Sequence, residues 1–103
     1  MKDVKLSARL QALANMVSSG NIVCDIGCDH GYLSIYLLKN GIAQKVIAAD
    51  IGEQPLQSAM SNARRFGVEE NIQFYLSDGA ANIPRDFTHM VCAGMGADTM
   101  IHI

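Results

Sequence analysis

The sequence predicts an α/β fold built on a partial, doubly wound parallel sheet of about four strands. Two observations carry that expectation. Short β-branched apolar runs alternate with longer segments of helical period, and each apolar run closes on an aspartate or a glycine. Parallel strands need a crossover between them, and crossovers of this kind are right-handed, so the alternation fixes the general topology.

The first element is a helix over 6–17, where Leu6, Leu10, Leu13, Ala14 and Val17 recur on one face before Ser18, Ser19 and Gly20 stop it. The next run, over 22–26, is short and apolar around Asp25 and ends at Gly27, the pattern of a strand buried on both faces. A second helix covers 31–38 and stops at Asn40 and Gly41. Residues 45–50 form the second strand. Pro55 opens the third helix at a position where its missing N–H costs nothing, with Leu56, Ala59, Met60 and Ala63 on one face and Gly67 at the end. Strands follow over 72–76 and 88–93, and a last helix is expected to begin near Asp98. No repeat, low-complexity segment or linker divides the chain. Residues 1–103 therefore read as the N-terminal part of one domain that ordinarily needs six or seven strands. The fourth strand would then be an exposed apolar edge, open to self-association.

A chain of 103 residues buries only roughly two-thirds of the surface that its unfolded state exposes. Hydrophobic residues at 50%, charged residues at 17% and a net charge of −2 describe a globular chain and exclude a disordered one. The eight basic residues are scattered, Arg64 and Arg65 being adjacent, which gives no phosphate-binding face of its own. No apolar run reaches the ~20 residues of a bilayer span, and the first residues lack the apolar core of a signal peptide, so a cytoplasmic location is expected. Cys24, Cys28 and Cys92 lack the C-x-x-C spacing of a zinc site; reduced thiols packed as small hydrophobes, and no metal, are expected.

In open parallel sheets, ligands bind beyond the carboxyl ends of the strands. The first strand runs into Asp25-Ile26-Gly27-Cys28-Asp29-His30-Gly31, the second ends at Asp50, the third at Asp78-Gly79 and the fourth at Gly94-Met95-Gly96. Gly27 allows a tight turn, and Gly31 stands where a side chain would obstruct close approach. A dinucleotide fingerprint would need glycines where Asp29 and Tyr32 stand, and a carboxylate aimed at a pyrophosphate repels it. S-adenosylmethionine carries an ammonium and a sulfonium, which Asp25 and Asp29 attract. Asp50 is placed to accept from two ribose hydroxyls, and Asp78 from the adenine amino group, with Ile51 and Leu76 against the ring faces. The competing reading makes each aspartate a cap for the following helix or turn. His30 is read as a loop-shaping partner or a proton carrier, and Met95 as lining for the substrate pocket or as filler.

The sequence resembles the bacterial tRNA (adenine-N1)-methyltransferases that act on position 22, the TrmK family. The resemblance rests on Leu6-Ser7-x-Arg9-Leu10, Asp25-Ile26-Gly27-x-Asp29-His30, Pro55-Leu56-x-x-Ala59, Asp78-Gly79 and Ala93-Gly94-Met95-Gly96. It implies a Rossmann-like class I methyltransferase domain that takes S-adenosylmethionine, followed in the family by a helical, coiled-coil-like part that engages tRNA. On the strand-end reading, Asp25, Gly27, Gly31, Asp50, Ile51, Asp78, Gly79 and Gly94 are expected to hold the cofactor, and His30, Met95 and Gly96 to line the substrate pocket. Asp29 becomes the candidate catalytic group, a carboxylate accepting from the target adenine. Ala97 stands where the family more often has a further glycine. An inactive cofactor-binding fragment, or a methyltransferase with another acceptor, are the alternatives.

Overall fold

The computed structural model describes residues 4–78, 81–92 and, by backbone alone, 99–102. Ser7 caps the first helix, α1 (Ala8–Asn15), its hydroxyl accepting from the Leu10 N–H at 3.3 Å. The chain continues through β1 (Asn21–Ile26), α2 (Tyr32–Lys39), β2 (Ala43–Asp50), α3 (Glu53–Arg65), a 3-10 turn (Glu69–Asn71), β3 (Ile72–Leu76), β4 (His89–Cys92) and β5 (Thr99–His102). The sheet order is β3-β2-β1-β4-β5. Strands β1 to β4 are parallel, as expected, and β5 pairs antiparallel to β4.

The order explains where a ligand can sit. From β1 the chain steps to β2 and then β3, with α2 and α3 on one face; residues 81–88 then cover the opposite face with Ile83 and Phe87 before β4, which lies on the other side of β1. Right-handed crossovers require that change of face when the direction of travel reverses. In such sheets ligands usually sit beyond the carboxyl ends of the strands at the point of reversal, which here falls between β1 and β4.

Strand alternation sends side chains to two cores. Val23, Val46, Ala48, Ile72 and Val91 pack beneath the helices, against Leu13, Leu33, Ile35, Leu37, Leu56, Ala59 and Ala63. Cys24, Ile26, Ile47 and Ala49 face the other way and are covered by Ile83 and Phe87 of the return segment.

Four expectations change. Helix α3 begins at Glu53, so Pro55 is its third residue; the first four N–H groups of a helix lack intrahelical partners, and proline is tolerated there for the same reason. Met60 is 40% exposed and does not join the buried face of α3. Thr99–His102, beside Asp98 where a helix was expected to begin, is strand β5, its backbone groups paired antiparallel with those of β4. Consequently β4 is flanked by β1 and β5, and the exposed fourth-strand edge expected to drive self-association is not there; among the described residues the edges are β3 and β5. Gly79, Gly94, Met95, Gly96, Ala97 and Asp98 lie outside the described residues.

Candidate ligand site at the strand ends

The segment after β1 turns sharply at Gly27 (φ 73°), passes Asp29 in the left-handed region (φ 53°) and enters α2 at Gly31 (φ 79°). Aspartate tolerates the left-handed region better than most residues, and glycine has no penalty there. The N–H groups of this loop are occupied from within the protein. Gly27 and Cys28 both donate to the Ala49 carbonyl, at 2.8 and 3.0 Å, and Gly31 donates to the Cys28 carbonyl at 2.8 Å. The Asp29 N–H donates to Asp50 Oδ2 at 2.9 Å.

Asp50 ends β2 and ties two loops together. Its second oxygen accepts from the Gly52 N–H at 2.8 Å. A carboxylate has about four acceptor positions, so two backbone bonds leave capacity toward solvent, where Asp50 is half-buried. Gly52 is forced by its neighbours: a Cβ there would lie 3.0 Å from Pro55 Cδ and 3.3 Å from Asp50 Oδ1. Outside this junction stand two exposed apolar side chains, Ile51 at 73% and Leu76 at 55%. Exposed Asp78 follows on the next strand end.

Asp25 is different in kind. It is 1% exposed, and Ser34 of α2, itself fully buried, donates a 2.6 Å hydrogen bond to its Oδ2. Burial pushes its carboxyl up from 3.8 to about 7, Ser34 pulls it down and the nearby Asp50 charge raises it further. Burial also raises the Cys24 thiol to about 12 and the Cys28 thiol upward, with Asp25 adding to both. These thiols stay protonated at neutral pH and act as small packing groups.

A cavity of about 60 Å³ lies between α1 and the loop, lined by Arg9, Leu10, Asp25, Gly27, Cys28, Asp29, His30, Tyr32 and Leu33. It is large enough for a charged head group and too small for a nucleoside. Beyond Asp29 the surface opens into a depression of about 580 Å³ lined by Asp29, His30, Gln54, Pro55, Gln57 and Ser58. Asp29 and His30 border both spaces. His30 Nδ1 lies 2.8 Å from Ser58 Oγ, and the His30 carbonyl accepts from Asn62 Nδ2 at 2.9 Å.

The structure thus gathers Gly27, Asp29, His30 and Gly31 on one loop directly after Asp25 of β1, with Asp50 bonded to that loop and Ile51, Leu76 and Asp78 along the neighbouring strand ends. Gly31 faces α3: a Cβ there would come within 2.9 Å of Ala59 Cβ. Sequence reading did not assign Arg9, Ser34, Ser58 or Asn62 a place here. Arg9 stood in the quoted pattern and was signalled; the other three are polar residues inside helices, with nothing local to single them out. Among the described residues, no group of His, Cys, Asp and Glu could hold a metal ion, and no helix is long and apolar enough to cross a membrane.

Comparison with known proteins gives three close likenesses. The chain is 35% identical over 104 residues to the tRNA (adenine(22)-N(1))-methyltransferase of Bacillus subtilis, covering 100% of this chain and 44% of that protein. Its fold matches the crystal structure of the Bacillus subtilis tRNA methyltransferase TrmK with a TM-score of 0.86, at 35% identity, over 91% of this chain and 41% of that one. It matches Streptococcus pneumoniae Sp1610 in complex with S-adenosyl-L-methionine with a TM-score of 0.83, at 39% identity, over 89% of this chain and 44% of that one. The chain spans less than half the length of each. The profile of one family, described as a methyltransferase domain, matches residues 6–103, and the chain belongs to that family.

Proposed function

We propose that the chain is the cofactor-binding part of an S-adenosylmethionine-dependent enzyme that methylates N1 of an adenosine in tRNA, in the cytoplasm. One observation carries the cofactor choice. Loop N–H groups that a dinucleotide site would turn toward a pyrophosphate are occupied at Gly27, Cys28, Asp29 and Gly31, and the loop presents carboxylates instead. The site therefore favours a cation. The likeness to the S-adenosyl-L-methionine complex of Sp1610 supports the same choice.

The cavity fits the amino-acid end of the cofactor. Arg9 and the two carboxylates Asp25 and Asp29 line it together, which suits a zwitterion carrying both an ammonium and a carboxylate. Asp50, with acceptor capacity left beyond its two backbone bonds, would hold the ribose hydroxyls, and exposed Ile51, Leu76 and Asp78 would hold the adenine, the carboxylate accepting from its amino group. Bound there, the cofactor supplies an electrophilic methyl on sulfur.

The acceptor needs little from the protein beyond position. Adenine N1 has a free lone pair and no proton to remove, so no general base is required and the work is alignment. Positive charge grows on the acceptor base as the methyl transfers. The Asp29 carboxylate, 69% exposed and bordering both spaces, would accept from the amino group of that base and stabilise the charge. The base must leave its stack to arrive there. Glycines 79, 94 and 96 and Met95 complete the proposal as backbone approach and pocket lining.

The test is a methyl-transfer assay with the full-length protein, radiolabelled cofactor and an unmodified tRNA transcript, followed by nucleoside mass spectrometry. Label in 1-methyladenosine is expected. Label in N6-methyladenosine, or in protein instead of RNA, overturns the acceptor assignment.

A further inference from the structure

Arg9 reaches the cavity from α1, a helix of eight residues, about two turns and too short to hold its own shape in water. Its direction comes from its seat on α2. At about 100° per residue, Leu10, Leu13 and Ala14 form one apolar stripe that packs into the core. Arg9 falls on one flank of that stripe and Gln11 on the other. Apolar packing is non-directional, so the stripe alone tolerates a small roll of α1 about its own axis. At a side-chain radius of about 5–6 Å, a roll of about 10° moves the Arg9 head group by about 1 Å.

Gln11 supplies the missing direction. Its Nε2 donates to Tyr36 Oη at 3.1 Å, joining α1 to α2 across 25 residues of sequence, and to Asn15 Oδ1 one turn along at 3.0 Å. The Tyr36 ring packs against the core, so its hydroxyl is a fixed point. A phenol hydroxyl both donates and accepts, so the tether holds whichever end of the Gln11 amide it meets.

We propose that Tyr36 and Gln11 are positioning residues for the cofactor: their hydrogen bond sets the roll of α1 and so holds the Arg9 guanidinium at the cavity. Neither of the two lines the cavity itself. The role rests on the function proposed above, in which the cavity takes the amino-acid end of S-adenosylmethionine. Arg9 meets the carboxylate of that end, and the tether decides where Arg9 stands. The effect is therefore selective, since a ligand without the amino-acid end has nothing for Arg9 to meet.

Calorimetric titration of the full-length protein with S-adenosylmethionine and with methylthioadenosine, which lacks the ammonium and the carboxylate, tests this. Tyr36→Phe should weaken S-adenosylmethionine binding by about three- to ten-fold, the range of one hydrogen bond, and leave methylthioadenosine within about two-fold. Gln11→Met should do the same. In an Arg9→Gln background Tyr36→Phe should have no further effect, because the group it positions is gone. Equal losses for the two ligands, no loss for either, or full additivity with Arg9→Gln overturns the proposal. Residual dipolar couplings of the α1 N–H groups, measured without ligand, read the roll directly; couplings that are the same in the wild type and in Tyr36→Phe also overturn it. Absence of S-adenosylmethionine binding in the wild type defeats the proposed function and the cofactor role with it, and the couplings still decide whether the tether sets the roll.

Discussion

Burial holds the Asp25 carboxyl near pH 7 in the folded protein, against an ordinary 3.8. Between those values the folded state keeps a proton that the unfolded chain has lost, so stability falls as pH rises through the window and the full penalty stands above it. A difference of that size corresponds to a cost on the order of 4 kcal/mol. Asp25→Asn keeps the shape and removes the charge. It is expected to raise stability at pH 8 by up to that amount and to flatten the change between pH 5 and 8, measured by urea unfolding at both. The same substitution should weaken cofactor binding on the proposed reading, in which Asp25 is one of the carboxylates lining the cavity for the cofactor's cation. Arg9 lies on the other side of the cavity; Arg9→Gln is expected to lower affinity for S-adenosylmethionine by about ten- to a hundred-fold, the worth of a charged hydrogen bond, in a calorimetric titration. Asp29→Asn should lower kcat by about a hundred-fold and also weaken cofactor binding, since the same carboxylate lines the cavity. The aspartates were legible in the sequence because each closes an apolar run. Ser34, Ser58 and Asn62 were not, since what makes them partners of Asp25 and His30 is the packing of α2 and α3 onto the loop.

At the scale of elements, the junction of the loop with α3 carries the strongest expectation. Gly31 combines a positive φ with a neighbour 2.9 Å from the place its Cβ would take, and the neighbour's backbone is nearly as close. Gly31→Ala should cost about 2–4 kcal/mol by chemical denaturation, from left-handed strain together with overpacking. Gly41→Ala, also at positive φ but with open space around it, should cost about 1–2 kcal/mol, the strain alone. Periodicity located all three helices and four strands, because their apolar residues point at two well-formed cores. It failed where local pattern was not decisive. Helix α3 starts two residues before its proline because the first turn makes no demand on N–H groups, and β5 exists because β4 provides a partner, which a reading of 98–103 alone does not reveal.

Across the whole molecule, the three described helices share one face of the sheet, the return segment with Ile83 and Phe87 covers the other, and the winding reverses between β1 and β4. Strand order could be inferred in class from the alternation of elements, but the position of β4 beside β1 is a tertiary fact, and the crevice proposed at the strand ends depends on it. The central claim is that this crevice selects a cationic, adenosine-bearing cofactor over a pyrophosphate. Calorimetric titration with S-adenosylmethionine and with NAD, at pH 8 and pH 6, tests it directly. S-adenosylmethionine should bind at both values, more weakly at pH 6 and with proton release, since a cation beside Asp25 favours the ionised form. NAD should give no measurable heat. Tight NAD binding without S-adenosylmethionine binding would show that the occupied loop N–H groups and the loop carboxylates have been given the wrong ligand.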